Sequence, residues 1–208
     1  IADDRLGVFK PMFAEMGHLA RQHPDELVFG LLKDGFTELG YDGQPFFDTD
    51  HPAKDETGAD VTVSNVQAGT DPAWFLLDTS RAVKPLIWQE REKYDFQKVT
   101  SPTDSDVFMT DLYRFGVRAR VNAGLGLWQL AFGSKAALTA DNYAAARAAM
   151  QMLRGDQGRV LGVNPTVLVV SPQLEDAARK VLNTETNDGG GSNPWKGTAE
   201  LIVTPYVA

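Results

Sequence analysis

Cysteine is absent from the 208-residue sequence, and histidine occurs only three times. The first absence removes disulfide frameworks, thiol nucleophiles and cysteine-ligated zinc together, and it leaves the redox compartment open. Long hydrophobic runs are also missing. Val167 to Val170 and Leu201 to Val203 are strand-sized and bounded by polar residues, well short of the roughly 20 apolar residues that a membrane-spanning helix needs. Positive charge is in deficit, with 20 Lys and Arg against 28 Asp and Glu and a formal net charge of −8. That balance argues against holding nucleic acid by phosphate neutralisation, which needs clustered cations. No initiator Met is present. Ile1 stands first, the Ala-Asp-Asp-Arg behind it is neither a signal nor a transit peptide, and the sequence reads as a fragment of a longer protein.

What is present suits a packed domain. The 43% hydrophobic and 23% charged residues match soluble globular chains, and the length allows a core without staples. From Leu6 to Leu32 the apolar residues Phe9, Phe13, Met16, Ala20, Leu27 and Leu31 keep one helical phase, which survives Pro24 and predicts one long helix, kinked near His23 and ended by Gly35. Residues 40–72 are rich in Gly, Pro, Asp and Thr and predict a long irregular segment with a short strand near Val61 to Ser64. Strand patterns follow at Trp74 to Leu77, Pro85 to Gln89 and Tyr113 to Val121. In the last of these, Phe115, Val117, Ala119 and Val121 alternate with Arg114, Arg118 and Arg120, placing an apolar face opposite a basic one. After a turn at Asn122 to Gly126, Leu127 to Phe132 predicts a further strand.

The last third predicts helix, strand, helix, strand. Thr139 caps a helix stapled by Leu138 onto Tyr143 and ended by Gly155. Thr166 to Val170 is a buried strand, Ser171 and Pro172 open a second helix, and Ala199 to Val203 closes the unit after a loop through Asp188 to Gly191. There is no internal repeat.

Candidate chemistry is sparse. Asp48, Asp50 and His51 could meet on one cation, but no second ligand cluster completes a coordination sphere, and Asp and His before Pro52 are ordinary turn formers. His18 and His23 lie five apart on the helix and cannot share a ligand face. Ser80, Ser134 and Ser171 lie in no nucleophile elbow. The glycines at Gly124, Gly126 and Gly189 to Gly191 lack the Lys-Ser/Thr of a phosphate loop. Trp74, Trp88, Trp128 and Trp195 suit core or interface anchors. Arg114, Arg118 and Arg120 would serve a phosphate track, yet Glu90 and Glu92 lie on a nearby strand, so inter-strand or inter-subunit ion pairs are expected instead.

Several stretches carry a resemblance. Asp25 to Phe36 (DELVFGLLKDGF), Tyr41 to Pro52 (YDGQPFFDTDHP), Leu76 to Arg91 (LLDTSRAVKPLIWQER), Leu138 to Tyr143 (LTADNY) and Asn193 to Gly197 (NPWKG) closely resemble the major head subunit, or T protein, of Mu-like phages and prophages. The match runs in order through essentially the whole chain. The resemblance implies an α+β, Hong Kong 97-type capsid fold. Residues 1–137 would form a peripheral-domain-like region, with a spine helix over 4–35, the long loop over 40–72 and strands over 74–132. Residues 138–208 would form an axial-domain-like unit. The N-terminal arm and extended loop would be absent, and the 74–132 strands would precede the axial domain rather than follow it. The implied function is a self-assembling head subunit forming pentamers and hexamers in a virion capsid made in the host cytoplasm. The implied partners are copies of itself and the phage's scaffold, protease and portal proteins, around DNA held without sequence specificity. No catalytic residue, cofactor, metal or membrane is implied; the alternative is a head-completion, tail or adaptor ring protein.

Overall fold

The computed structural model describes residues 7, 9–155, 158–186 and 190–208. Residues 4–6 and 8 of the expected helix, and Asp188 and Gly189 of the expected loop, lie outside the described residues. The chain divides into two units of interleaved sequence, the first from residues 1–27 and 88–123 and the second from 28–87 and 124–208.

Helix α1 spans Phe9–Asp34 without interruption, with Pro24 inside it. Its residues through Leu27 belong to the first unit, where Phe13, Met16 and Ala20 are half-buried, as the apolar phase requires. The same unit contains most of the long strands β5 (Leu86–Val99) and β6 (Arg114–Leu125), which pair as a two-stranded sheet. Phe13 of α1 meets Phe96 of β5 and Phe115 of β6 edge to face, with ring centroids 5.7 and 4.9 Å apart. The short helix α2 (Ser105–Thr110) lies between the strands in sequence. Two isolated strands bury little by themselves, so the helix against the ribbon supplies this unit's core.

The second unit is a five-stranded mixed sheet in the order β3-β7-β4-β8-β9. It is formed by β3 (Val66–Gln67), β4 (Trp74–Leu77), β7 (Ala131–Ser134), β8 (Val167–Val170) and β9 (Glu200–Val203). β4 is antiparallel to both β7 and β8, with Trp74 opposite Ser134 on one side and Val170 on the other. Every residue of β4, β7 and β8 is buried, which explains why Trp-Phe-Leu-Leu and Val-Leu-Val-Val are continuous apolar runs rather than alternating ones. Helix α3 (Ala140–Gln151) packs on β7, and α4 (Glu175–Leu182) packs on β8 and β9. β8 and β9 are parallel, as a crossover through a helix demands. An antiparallel hairpin, β1 (His51–Lys54) with β2 (Asp60–Val63), stands outside the sheet.

The units differ from a division at 137/138, because β3, β4 and β7 pair into one sheet with β8 and β9. Other expectations are corrected locally. The expected strand over Leu127 to Phe132 begins instead as a 3-10 turn at Trp128–Leu130, and pairing starts only at Ala131. β6 runs through the expected turn at Asn122 as far as Leu125. α3 stops at Gln151 rather than at Gly155, which instead closes a tight turn with its N–H donating to Arg159 O at 2.8 Å. Ser171 gives α4 no side-chain cap. A 3-10 turn at Pro172–Leu174 intervenes, and the Ser171 hydroxyl is buried without a hydrogen-bond partner among the described residues. Thr139 does cap α3, its side chain accepting from the Asn142 N–H at 3.2 Å.

Candidate functional site

On the ribbon of the first unit, Arg118 and Arg120 are two apart on β6 and so share one face. Arg118 Nη2 lies 3.0 Å from Glu92 Oε2, and Arg120 Nη1 lies 3.2 Å from Glu92 Oε1, so one carboxylate bridges two guanidiniums. Arg114 turns instead to Asp106 at the start of α2, with Nε 2.6 Å from Oδ2. Among the described residues no ion pair joins Glu90 to these arginines. Glu90 acts on Tyr94, whose phenol is pushed above its ordinary value by burial and then by the Glu90 charge. The Tyr94 hydroxyl shares a 2.7 Å hydrogen bond with His23 Nδ1 on α1. All three arginine side chains are more than half exposed, so each pair contributes at most about 1 kcal/mol. They fix side-chain positions on a surface more than they hold the unit together.

The same ribbon carries an apolar patch that the sequence pattern did not single out. α2 is one and a half turns long and buries only Val107. Phe108, Met109, Leu112 and Tyr113 are respectively 79, 77, 56 and 51% exposed. The available signal was Asp104, an N-cap residue, and then Val-Phe-Met after Ser105 and Asp106, which marks a short helix with more apolar residues than one buried face can hold.

In the second unit His51, whose sequence context favours a turn residue over a metal ligand, is fully buried, its ring stacked on Trp128 at 3.9 Å between centroids. Its Nδ1 lies 2.7 Å from Asp42 Oδ2, and its Nε2 lies 3.2 Å from Asn65 Oδ1. Both ring nitrogens are therefore committed to protein partners, and neither is left for a cation. Asp48 and Asp50 do not join His51, and the described residues hold no cluster of three or more potential ligands. Asn65 is the hub. Its Nδ2 faces the carbonyls of Phe46, Trp128 and Ala131 at 2.8, 3.3 and 3.3 Å, while Oδ1 accepts the Asp48 N–H at 2.9 Å. This network ties the loop before β1 to the turn before β7. Nothing in the sequence pattern marked Asn65, because a buried amide looks like a loop residue until its partners are known.

The remaining candidates have structural roles. Ser80 Oγ donates to Asp78 at 2.6 Å, and Ser134 Oγ donates to Gln67 Oε1 at 2.8 Å. His18 bonds to Gln22 at 3.0 Å on the same helix. Trp74 and Trp128 are buried, and Trp195 meets the buried Tyr143 at 5.8 Å. The geometry thus offers fixed charge and exposed apolar surface on the ribbon, and buried polar groups that serve packing in the sheet unit.

Comparison with known proteins agrees with that character. Residues 1–207 match the family described as the Mu-like prophage major head subunit gpT. The chain is 45% identical over 214 residues to the major capsid protein of Escherichia phage Mu, covering 99% of this chain and 70% of that one. It is 42% identical over 222 residues to the Mu-like prophage FluMu major head subunit of Haemophilus influenzae, covering 100% of this chain and 71% of that one. Among solved structures, a chain from the procapsid of bacteriophage JBD30 superposes with a TM-score of 0.84 at 47% identity, covering 99% of this chain and 71% of that one.

Proposed function

Since this chain belongs to the Mu-like phage major head subunit family, we propose that its surfaces work by joining identical copies into pentamers and hexamers that close into a shell around DNA. The chain is a structural subunit of a phage icosahedral head, with the mixed α/β fold of capsid proteins. The observation that carries the reading is the superposition on a procapsid subunit over 99% of the chain. The finer assignments are ours. The fold is of the Hong Kong 97 type: α1 is the spine helix, its N-terminal part and the β5–β6 ribbon form the peripheral region, and the five-stranded sheet with α3 and α4 forms the axial one. Supporting this are the length of α1 and the separation of ribbon and sheet into different units.

Output is geometric rather than catalytic. Heterologous contacts close into rings and rings into shells, and each contact can be weak because many act together. The negative charge keeps enclosed DNA from sticking to the wall. Arg118 and Arg120, each already facing Glu92, serve ion pairing within or between copies rather than a phosphate track. Assembly takes place in the host cytoplasm with the phage's scaffold, protease and portal proteins.

Negative-stain electron microscopy of the complete protein, with DNA binding measured in parallel, tests the reading. Closed shells and no measurable DNA affinity are expected. Small rings would favour a head-completion, tail or adaptor protein instead, and a monomer at high concentration would end both readings.

A further inference from the structure

Phe108 and Met109 of α2 are the two most exposed large apolar side chains among the described residues. Resting on the head-subunit reading, we propose that Phe108 and Met109, flanked by Leu112 and Tyr113, seat on a neighbouring copy of this chain. The patch is held rigidly. Asp104 caps α2 by accepting the Asp106 N–H, Asp111 closes it in the left-handed region at φ 53°, and the Asp111 N–H returns to Val107 O. The Arg114–Asp106 ion pair at 2.6 Å and the Thr110 Oγ1 to Asp106 O hydrogen bond at 2.6 Å fasten the same turn. Buried Val107 anchors it from beneath. A segment fixed in this way loses little freedom on docking, which is the main cost of using a loop as a contact.

Area decides the occupant. With the exposures given above, the four side chains offer roughly 500 Å². That is the size of the largest, often functional, apolar patch on a soluble surface, about 300–600 Å², and it falls short of the roughly 800 Å² per partner in a stable stand-alone complex. A patch of this size holds a partner only when many equivalent contacts close together, and copies of a shell subunit provide that while a single soluble partner does not. The acidic rim of Asp104 and Asp111 adds repulsion between copies that apolar burial must exceed, so the two large exposed side chains carry the contact.

The complete protein bearing Phe108→Ser and Met109→Ser tests this. The threshold concentration for shell formation, followed by light scattering and sedimentation, is expected to rise about tenfold or more, with the thermal midpoint unchanged because neither residue is buried. An unchanged threshold, with wild-type shells forming in the same assay, overturns the contact and leaves the head-subunit reading intact. Absence of wild-type shells overturns that reading and the contact with it. A photo-crosslinking amino acid at position 108 of otherwise unaltered protein gives a readout independent of the variant's folding. Adducts to another copy are expected, and adducts only to a different protein overturn the proposal.

Discussion

At the scale of single residues, the second unit depends on close approach and on satisfied buried polar groups. A Cβ on Gly133 would stand 2.8 Å from the Phe47 ring, and one on Gly35 would stand 2.9 Å from it. Phe47 therefore lies against two backbone positions where any added Cβ would force its ring to shift, within a cluster that includes Phe36, Phe46 and Phe75. Gly133→Ala is expected to destabilise by about 1–3 kcal/mol in urea unfolding, and adding Phe47→Leu should cost less than the sum of the two single changes. Asp78 gives a pH signature. Burial raises its pKa, but hydrogen bonds from the Ser80 hydroxyl and the Asn164 and Ser80 N–H groups, with the Arg81 charge, outweigh burial and hold the carboxyl below its ordinary value. A depressed carboxylate stabilises the fold above its unfolded pKa of about 4 and loses that contribution as pH falls through the lower folded value. Asp78→Asn should therefore be less stable than wild type at pH 7, with the gap narrowing below about pH 4 in denaturation measured across that range.

At the scale of elements, legibility followed the strength of the local signal. The phase of Phe13, Met16, Ala20 and Leu27 fixed α1 as one helix through Pro24, and Thr139 before Ala-Asp-Asn marked the start of α3. Thr139→Ala should cost about 1 kcal/mol, read as a shift of the urea midpoint at constant slope. β5 was legible only at its first residues. Its continuation, Glu-Arg-Glu-Lys-Tyr-Asp-Phe-Gln-Lys, is mostly exposed and lacks the apolar alternation that marks a strand. β1 was missed because Pro52 reads as a turn, and a two-stranded hairpin accepts it where a central strand would not. The division into units was illegible for a different reason: β4 and β8 carry apolar runs that do not say which distant run they pair with. The ion-pair candidates were legible as charge on adjacent strands, but the choice of Glu92 over Glu90 depends on register, which sequence does not state.

At the scale of the whole molecule, charge opposes association. In every copy these 208 residues contribute −8, which repels at low ionic strength, and a Debye length of about 8 Å at physiological salt confines that repulsion to close approach. Assembly of the complete protein should improve as salt rises from low to moderate concentration, and scattering that falls monotonically over that range would contradict this. Chain order has a further outcome for synthesis on the ribosome. Both neighbours of β4 are made after it, β7 some fifty residues later and β8 about ninety. Contacts so distant along the chain form slowly, and a nascent polypeptide emerging N-terminus first cannot finish its central sheet until β8 and β9 have been made.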